Sequence, residues 1–225
     1  MDVLATIKKR YCMKAYYGLF IIIFFTIHSC NRCDKEHTYS LTEKTNSYFG
    51  NFSNGEKWIF KKSSDSTFID TLTLTNKSQK LEFSYTETEC DGDFFEFITY
   101  QLISTRLVDT LTVSLKSGPN IDSYSLRGIY VGSEIACYHD ISKSSGEFKY
   151  NSYFGDELNV IETYDLNGVI YNDVIDITFN QFSPSFPEKA PRYFHSQEVG
   201  LIEFEIYNEI LNKRDNYSLT KRVTN

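Results

Sequence analysis

The sequence predicts an all-β protein: a single antiparallel domain, built as a curved barrel-like sheet or a sandwich, following an N-terminal signal helix. Three observations predict this. Apolar residues alternate with polar ones in run after run, the period of half-buried strands. Turn signals containing Gly, Asn and Asp separate these runs at the short spacing of all-β domains. The composition is rich in aromatic residues, with 17 Tyr and 18 Phe in 225 residues, and such side chains suit a pleated, half-buried surface.

The first element is the signal. Lys8, Lys9, Arg10 and Lys14 precede an uncharged apolar run over residues 15–27, and Ser29-Cys30 follows. A basic start, an apolar stretch of about 7–15 residues and a small residue at the cut define an export signal. The run is shorter than the roughly 20 apolar residues of a membrane-spanning helix. Because the small residue stands directly before a cysteine, the expected outcome is cleavage after Ser29 and lipidation of Cys30. Cys33 is a poorer acceptor, since Arg32 precedes it. Met13-Lys14 adjoins the apolar run, so a start at Met13 would yield a complete compact signal and leave Cys12 outside the protein. The expected organisation is therefore a signal peptide over 1–29, a lipidated cysteine with a flexible polar tether over 30–47, and a β domain over 48–225.

Acyl chains on Cys30 contribute about 0.8 kcal/mol per buried methylene, so several of them anchor a chain that has no spanning segment. Asn31 is not acidic, and an acidic residue at that place can retain a lipoprotein at the inner membrane. The expected location is thus the bacterial outer membrane, at its periplasmic face or at the cell surface. Asp34-Lys35-Glu36 loosely resembles a surface-export signal.

Beyond Tyr48 the alternation takes over. Phe68, Leu72 and Leu74 form one run, Leu81, Phe83 and Tyr85 the next, and Leu107, Leu111, Val113 and Leu115 a third. Ile175, Ile177 and Phe179, and then Ile202, Phe204 and Ile206, continue the pattern. Turn signals lie at Asn54-Gly55, Asp91-Gly92-Asp93, Gly118-Pro119-Asn120, Ser145-Gly146, Gly155-Asp156 and Asn167-Gly168. Together they predict ten to twelve strands, with Asn167-Gly168 the clearest two-residue hairpin. Residues 198–213 could pass for a helix, but the 202/204/206 alternation assigns them to a strand and a turn. Ser47-Tyr48-Phe49-Gly50 recurs as Ser152-Tyr153-Phe154-Gly155, a coincidence of composition rather than a repeat array.

Without residues 1–29 the chain carries 19 basic against 29 acidic residues, a net charge of −10. That balance excludes nucleic acid and anionic head groups as natural partners. In an oxidising compartment, with Cys30 consumed by lipid, one intramolecular disulfide remains open to the three other mature cysteines. Cys90–Cys137 is the preferred pair, because Cys33 lies in the tether.

No G-x-S-x-G, H-E-x-x-H, P-loop or G-x-G-x-x-G is present, so the expectation is no catalytic residue, no cofactor and no enzyme. His37, His139 and His195 are scattered, and read as surface or satisfied core residues rather than bases or ligands. Glu89, Asp91 and Asp93, beside Gly92, are a weak calcium candidate that lacks EF-hand spacing. Tyr150, Tyr153, Phe154 and Tyr164 lie near turns, where rings can form a sugar platform, although aromatic residues more often fill a β core.

Asn54-Gly55-Glu56-Lys57-Trp58-Ile59-Phe60 resembles the opening of many uncharacterised Bacteroidota lipoproteins. Residues 168–175, Tyr193-Phe194 and residues 199–204 are similar to their later strands. The resemblance implies a curved antiparallel sheet in which Trp58 anchors the core and Gly200 makes a turn. It implies no activity. The expected function is a lipid-anchored envelope lipoprotein, with the membrane as one partner and an unknown protein or small-molecule ligand as the other, acting as a non-catalytic binding or interaction module. The alternatives are a carrier of an apolar ligand in a β cavity and, third, a glycan-acting enzyme.

Overall fold

The computed structural model describes residues 36–85, 92–106, 110–130, 133–149, 157–179, 189–208 and 211–225, with only the backbone of 85, 129–130, 133–137 and 149. The signal, Cys30, Cys90, Glu89 and Asp91, the second Ser-Tyr-Phe-Gly and three of the four turn aromatics lie outside these residues. The Cys90–Cys137 pairing does too.

Among the described residues the alternating runs become strands, apart from Phe179, which lies just past the end of one. In chain order the strands are β1 (Thr38–Tyr39), β2 (Lys57–Lys62), β3 (Asp65–Tyr85), β4 (Gly92–Ser104), β5 (Thr110–Lys116), β6 (Ile121–Tyr130) and β7 (Ser133–Ser142). They continue as β8 (Phe148–Lys149), β9 (Glu157–Leu166), β10 (Val169–Thr178), β11 (Arg192–Ser196), β12 (Gly200–Asn208) and β13 (Lys213–Val223). Between β1 and β2 lie one helical turn, α1 (Glu43–Thr45), and a π-helical turn (Asn46–Gly50). Among the described residues no helix is long and apolar enough to cross a membrane.

The described residues divide into two compact units, one within 38–82 and 95–225 and the other of residues 36–37, 83–85 and 92–94. In the smaller unit, His37 donates its backbone N–H to Asp93 Oδ1 at 3.2 Å, and Phe94 N–H reaches the His37 carbonyl at 2.8 Å. Phe83 and Phe94 pack at 5.0 Å between ring centroids.

In the larger unit the strands form one sheet in the order β8-β7-β6-β5-β4-β3-β2-β13-β12-β11-β10-β9, with antiparallel pairing along the ladders. The sheet curls into a half-barrel, so the expected curved sheet is the architecture and the sandwich is not. Neighbours along this order are next in sequence, as short turns dictate, except that β13 closes against β2, with Leu219 opposite Phe60; off this path β1 pairs β4. The 167–168 hairpin forms as expected: Asn167 and Gly168 take φ of 56° and 83° between Leu166 and Val169. Both central residues need positive φ in such a turn, which Asn and Gly supply at low cost.

One feature of β9–β10 was not legible in sequence. Asn159 pairs Asp176, and Asp176 pairs Phe194, so in a flat sheet Tyr164 would lie two strands and five residues, about 17 Å of strand, away from Phe194. Their rings instead stack at 5.1 Å. The hairpin must therefore bend back, and Asp173, at φ 50° within the strand, marks the bend. Tyr164 then hydrogen-bonds buried Glu203, which Asn216 also reaches. Tyr164 is thus a packing residue and not an exposed sugar platform.

The tether expectation needs correction as well. Leu41, Thr45, Ser47, Tyr48 and Phe49 are buried, so the domain begins by Thr38 and not at Tyr48. Residues 38–47 lack periodicity because they are neither a long helix nor a long strand; a short irregular segment seated on a sheet shows no repeat to detect.

Candidate binding face

The inner face of the half-barrel is the best-formed site, and the chain's own residues 38–52 occupy it. Thr42 caps α1, accepting the Thr45 N–H at 3.2 Å, and the turn is fastened to β6. Buried Asp122 accepts the Thr42 N–H and the Thr45 hydroxyl, each at 2.7 Å, while Lys143 lies 3.2 Å from its other oxygen. Glu96 accepts the Leu41 N–H at 2.8 Å, and Lys143 donates to the Ser40 carbonyl at 2.6 Å. At the far end, Lys77 donates to the Gly50 and Phe52 carbonyls at 3.1 and 3.2 Å. A cation there complements the partial negative charge at the end of a helical turn.

The π-helical turn projects two rings. Tyr48 donates its hydroxyl to the Asp173 carbonyl at 2.5 Å, and burial pushes its phenol up to about 12. Phe49 inserts among Tyr124, His139 and His195, with ring centroids at 4.2, 5.1 and 5.2 Å. His139 comes from β7 and pairs Tyr124 of β6 in register, whereas His195 comes from β11 across the curl. Curvature alone brings these two histidines to 6.5 Å between centroids.

Both imidazoles are buried, at 0% and 1% exposure. His195 Nε2 pairs with the Tyr124 hydroxyl at 3.1 Å, while its Nδ1 and both nitrogens of His139 have no hydrogen-bond partner among the described residues. Surface or satisfied core histidines were expected; His139 and His195 are core residues, but three of their four ring nitrogens are unsatisfied among the described residues. Burial pushes His195 down to about 3 and His139 well below the usual histidine range, the latter with help from His195. Both rings are accordingly neutral at pH 7. His37, by contrast, is exposed, with Nδ1 3.3 Å from Asp93. Asp93 is the one calcium candidate described. No group of three or more His, Cys, Asp or Glu among the described residues is placed to hold a metal.

Beside Phe49 lies a cavity of about 40 Å³ lined by Trp58, Phe60, Leu74, Tyr124, His195 and Leu201, among others. A water needs about 10–15 Å³ on this measure, while small-molecule pockets measure about 300–1,000 Å³. The space therefore admits a few atoms and no acyl chain. Trp58 anchors the core as the resemblance implied, donating Nε1–H to the Val199 carbonyl at 2.8 Å and meeting Phe52 edge-on at 5.1 Å. Gly200 sits at φ 81°, and a Cβ there would lie 2.7 Å from Phe52.

Among the described residues the carboxylates are held by separate cations rather than gathered on this face. Asp176 is held by Arg192 at 2.7 and 2.5 Å, Glu56 by Arg222 at 3.1 and 2.6 Å, and Asp215 by Lys62 at 2.7 Å. Sequence reasoning missed Tyr48, Phe49, Tyr124 and Asp122 as site residues. Only the aromatics just before β2 hinted at the first two. No family model, curated protein or solved structure matches this chain.

Proposed function

We propose that this chain is a bacterial envelope lipoprotein, anchored through lipid on Cys30 at the outer membrane, whose β domain is a non-catalytic binding or interaction module. The anchoring half rests on one observation: Ser29-Cys30 directly after a basic start and the apolar run 15–27. The binding half is supported by the filled inner face. Residues 38–52 occupy the place a carried ligand would need, and about 40 Å³ remains. The carrier reading keeps one point in its favour, the aromatic and aliphatic lining of that space. It would require the segment to leave first. Metabolic labelling with a clickable fatty acid tests the anchor: label on the wild type and none on Cys30→Ala is expected, and equal labelling of both would reject it.

A further inference from the structure

The two histidines are the least explained groups in the protein. Three of their buried ring nitrogens have no hydrogen-bond partner among the described residues, and leaving a buried polar group unpaired costs free energy. They are not scattered through the core but meet at one point, the Phe49 ring, which belongs to the helical turns between β1 and β2 rather than to a strand.

We propose that residues 38–52 are an acid-released latch over the inner face of the sheet, closed near neutral pH by Phe49 seated against His139 and His195, and opened when these imidazoles take up protons. Both rings can hold a proton only where water or a counter-charge reaches them. In the closed latch both rings are buried among aromatic and aliphatic side chains. The groups facing them are each other, Tyr124 of β6, Phe49 of the π-helical turn and Phe148 of β8. On β10 and β12 the ladder partners of His195 are Ile175 and Leu201, and that of His139 on β6 is Tyr124. The charged groups of the latch lie further along it: Lys44 over the Phe148 ring at 4.5 Å, Asp122 with Lys143, Glu96, and Asp173 beyond Tyr48. Lifting Phe49 opens both rings to water and uncovers Trp58, Phe60 and Tyr124. The direction follows from linkage: protons bind the open form more tightly, so opening grows as pH falls through the ordinary histidine range.

The test is hydrogen exchange of the full chain between pH 7.5 and 5, corrected for the intrinsic pH dependence of exchange. Amides of residues 41–52 should open at least about tenfold more often than those of β12 and β13 at each pH. Their opening constant should rise by about tenfold per histidine for each pH unit below 6.5, so about a hundredfold with both. In His139→Phe/His195→Phe that slope should vanish, and either single substitution should leave about tenfold per unit. The singles serve if the double variant does not fold. Three results would overturn the latch: a single shared opening constant for segment and strands, opening of 41–52 with no pH slope, or a slope retained without the histidines. Because the latch is built from residues 38–52 and the sheet, an unlabelled Cys30 would leave it untouched.

Discussion

Replacing Phe49 by alanine tests the claim that residues 38–52 belong to the core. The ring is 2% exposed and touches Tyr124, His139 and His195 within 5.2 Å. Its removal vacates ~100 Å³; at about 24 cal/mol per Å³ an unrelaxed void costs about 2.4 kcal/mol, and the lost transfer energy of a buried ring adds about 2. The expected loss is therefore about 3–5 kcal/mol, a large share of the 5–15 kcal/mol typical of a domain. Urea unfolding at pH 7.5, followed through Trp58, the sole tryptophan, measures it. The variant should unfold at lower urea with an unchanged slope. The vacated space borders three unpartnered imidazole nitrogens, so water should enter, and histidine titration by NMR should move back toward 6.5. A loss below about 1 kcal/mol with unmoved histidines would show the segment to be the loose tether that its sequence resembles.

Two further outcomes follow from the same geometry. With His195 near 3 in the folded chain against 6.5 unfolded, the unfolded state binds the extra proton, so stability is full above pH 6.5 and declines as pH falls towards 3. One such histidine removes about 2 kcal/mol by pH 5 and up to about 5 in all, and His139 acts in the same direction; urea midpoints unchanged between pH 7.5 and 5 would contradict this. Gly200→Ala should cost about 1–3 kcal/mol, because a side chain at φ 81° is strained and its Cβ would meet Phe52; a melting temperature equal to that of the wild type would show that the turn relaxes freely.

Much of the fold was legible because its causes are local. Alternation at 202, 204 and 206 follows from the two-residue period of a strand, and Asn167-Gly168 from the φ values of a two-residue turn. The same locality explains what was not legible. Tyr164 is a packing residue, as aromatics in a β domain more often are, but nothing in residues 157–173 announces that its partner is Phe194, reached by the hairpin bending back. Residues 41–47 looked like a tether, because their partners are Glu96 and Asp122, 55 to 80 positions away.

By itself, then, the sequence determined the class of structure, the positions of the strands and turns, and the residues proposed for export and anchoring, since each of these is written in neighbouring side chains. Only the tertiary structure decided which side chains meet. The curl of the sheet carries His195 of β11 to within 6.5 Å of His139 on β7 and sets Phe49 between them. No local pattern encodes that meeting, because the sum of small twists between a dozen strands produces it.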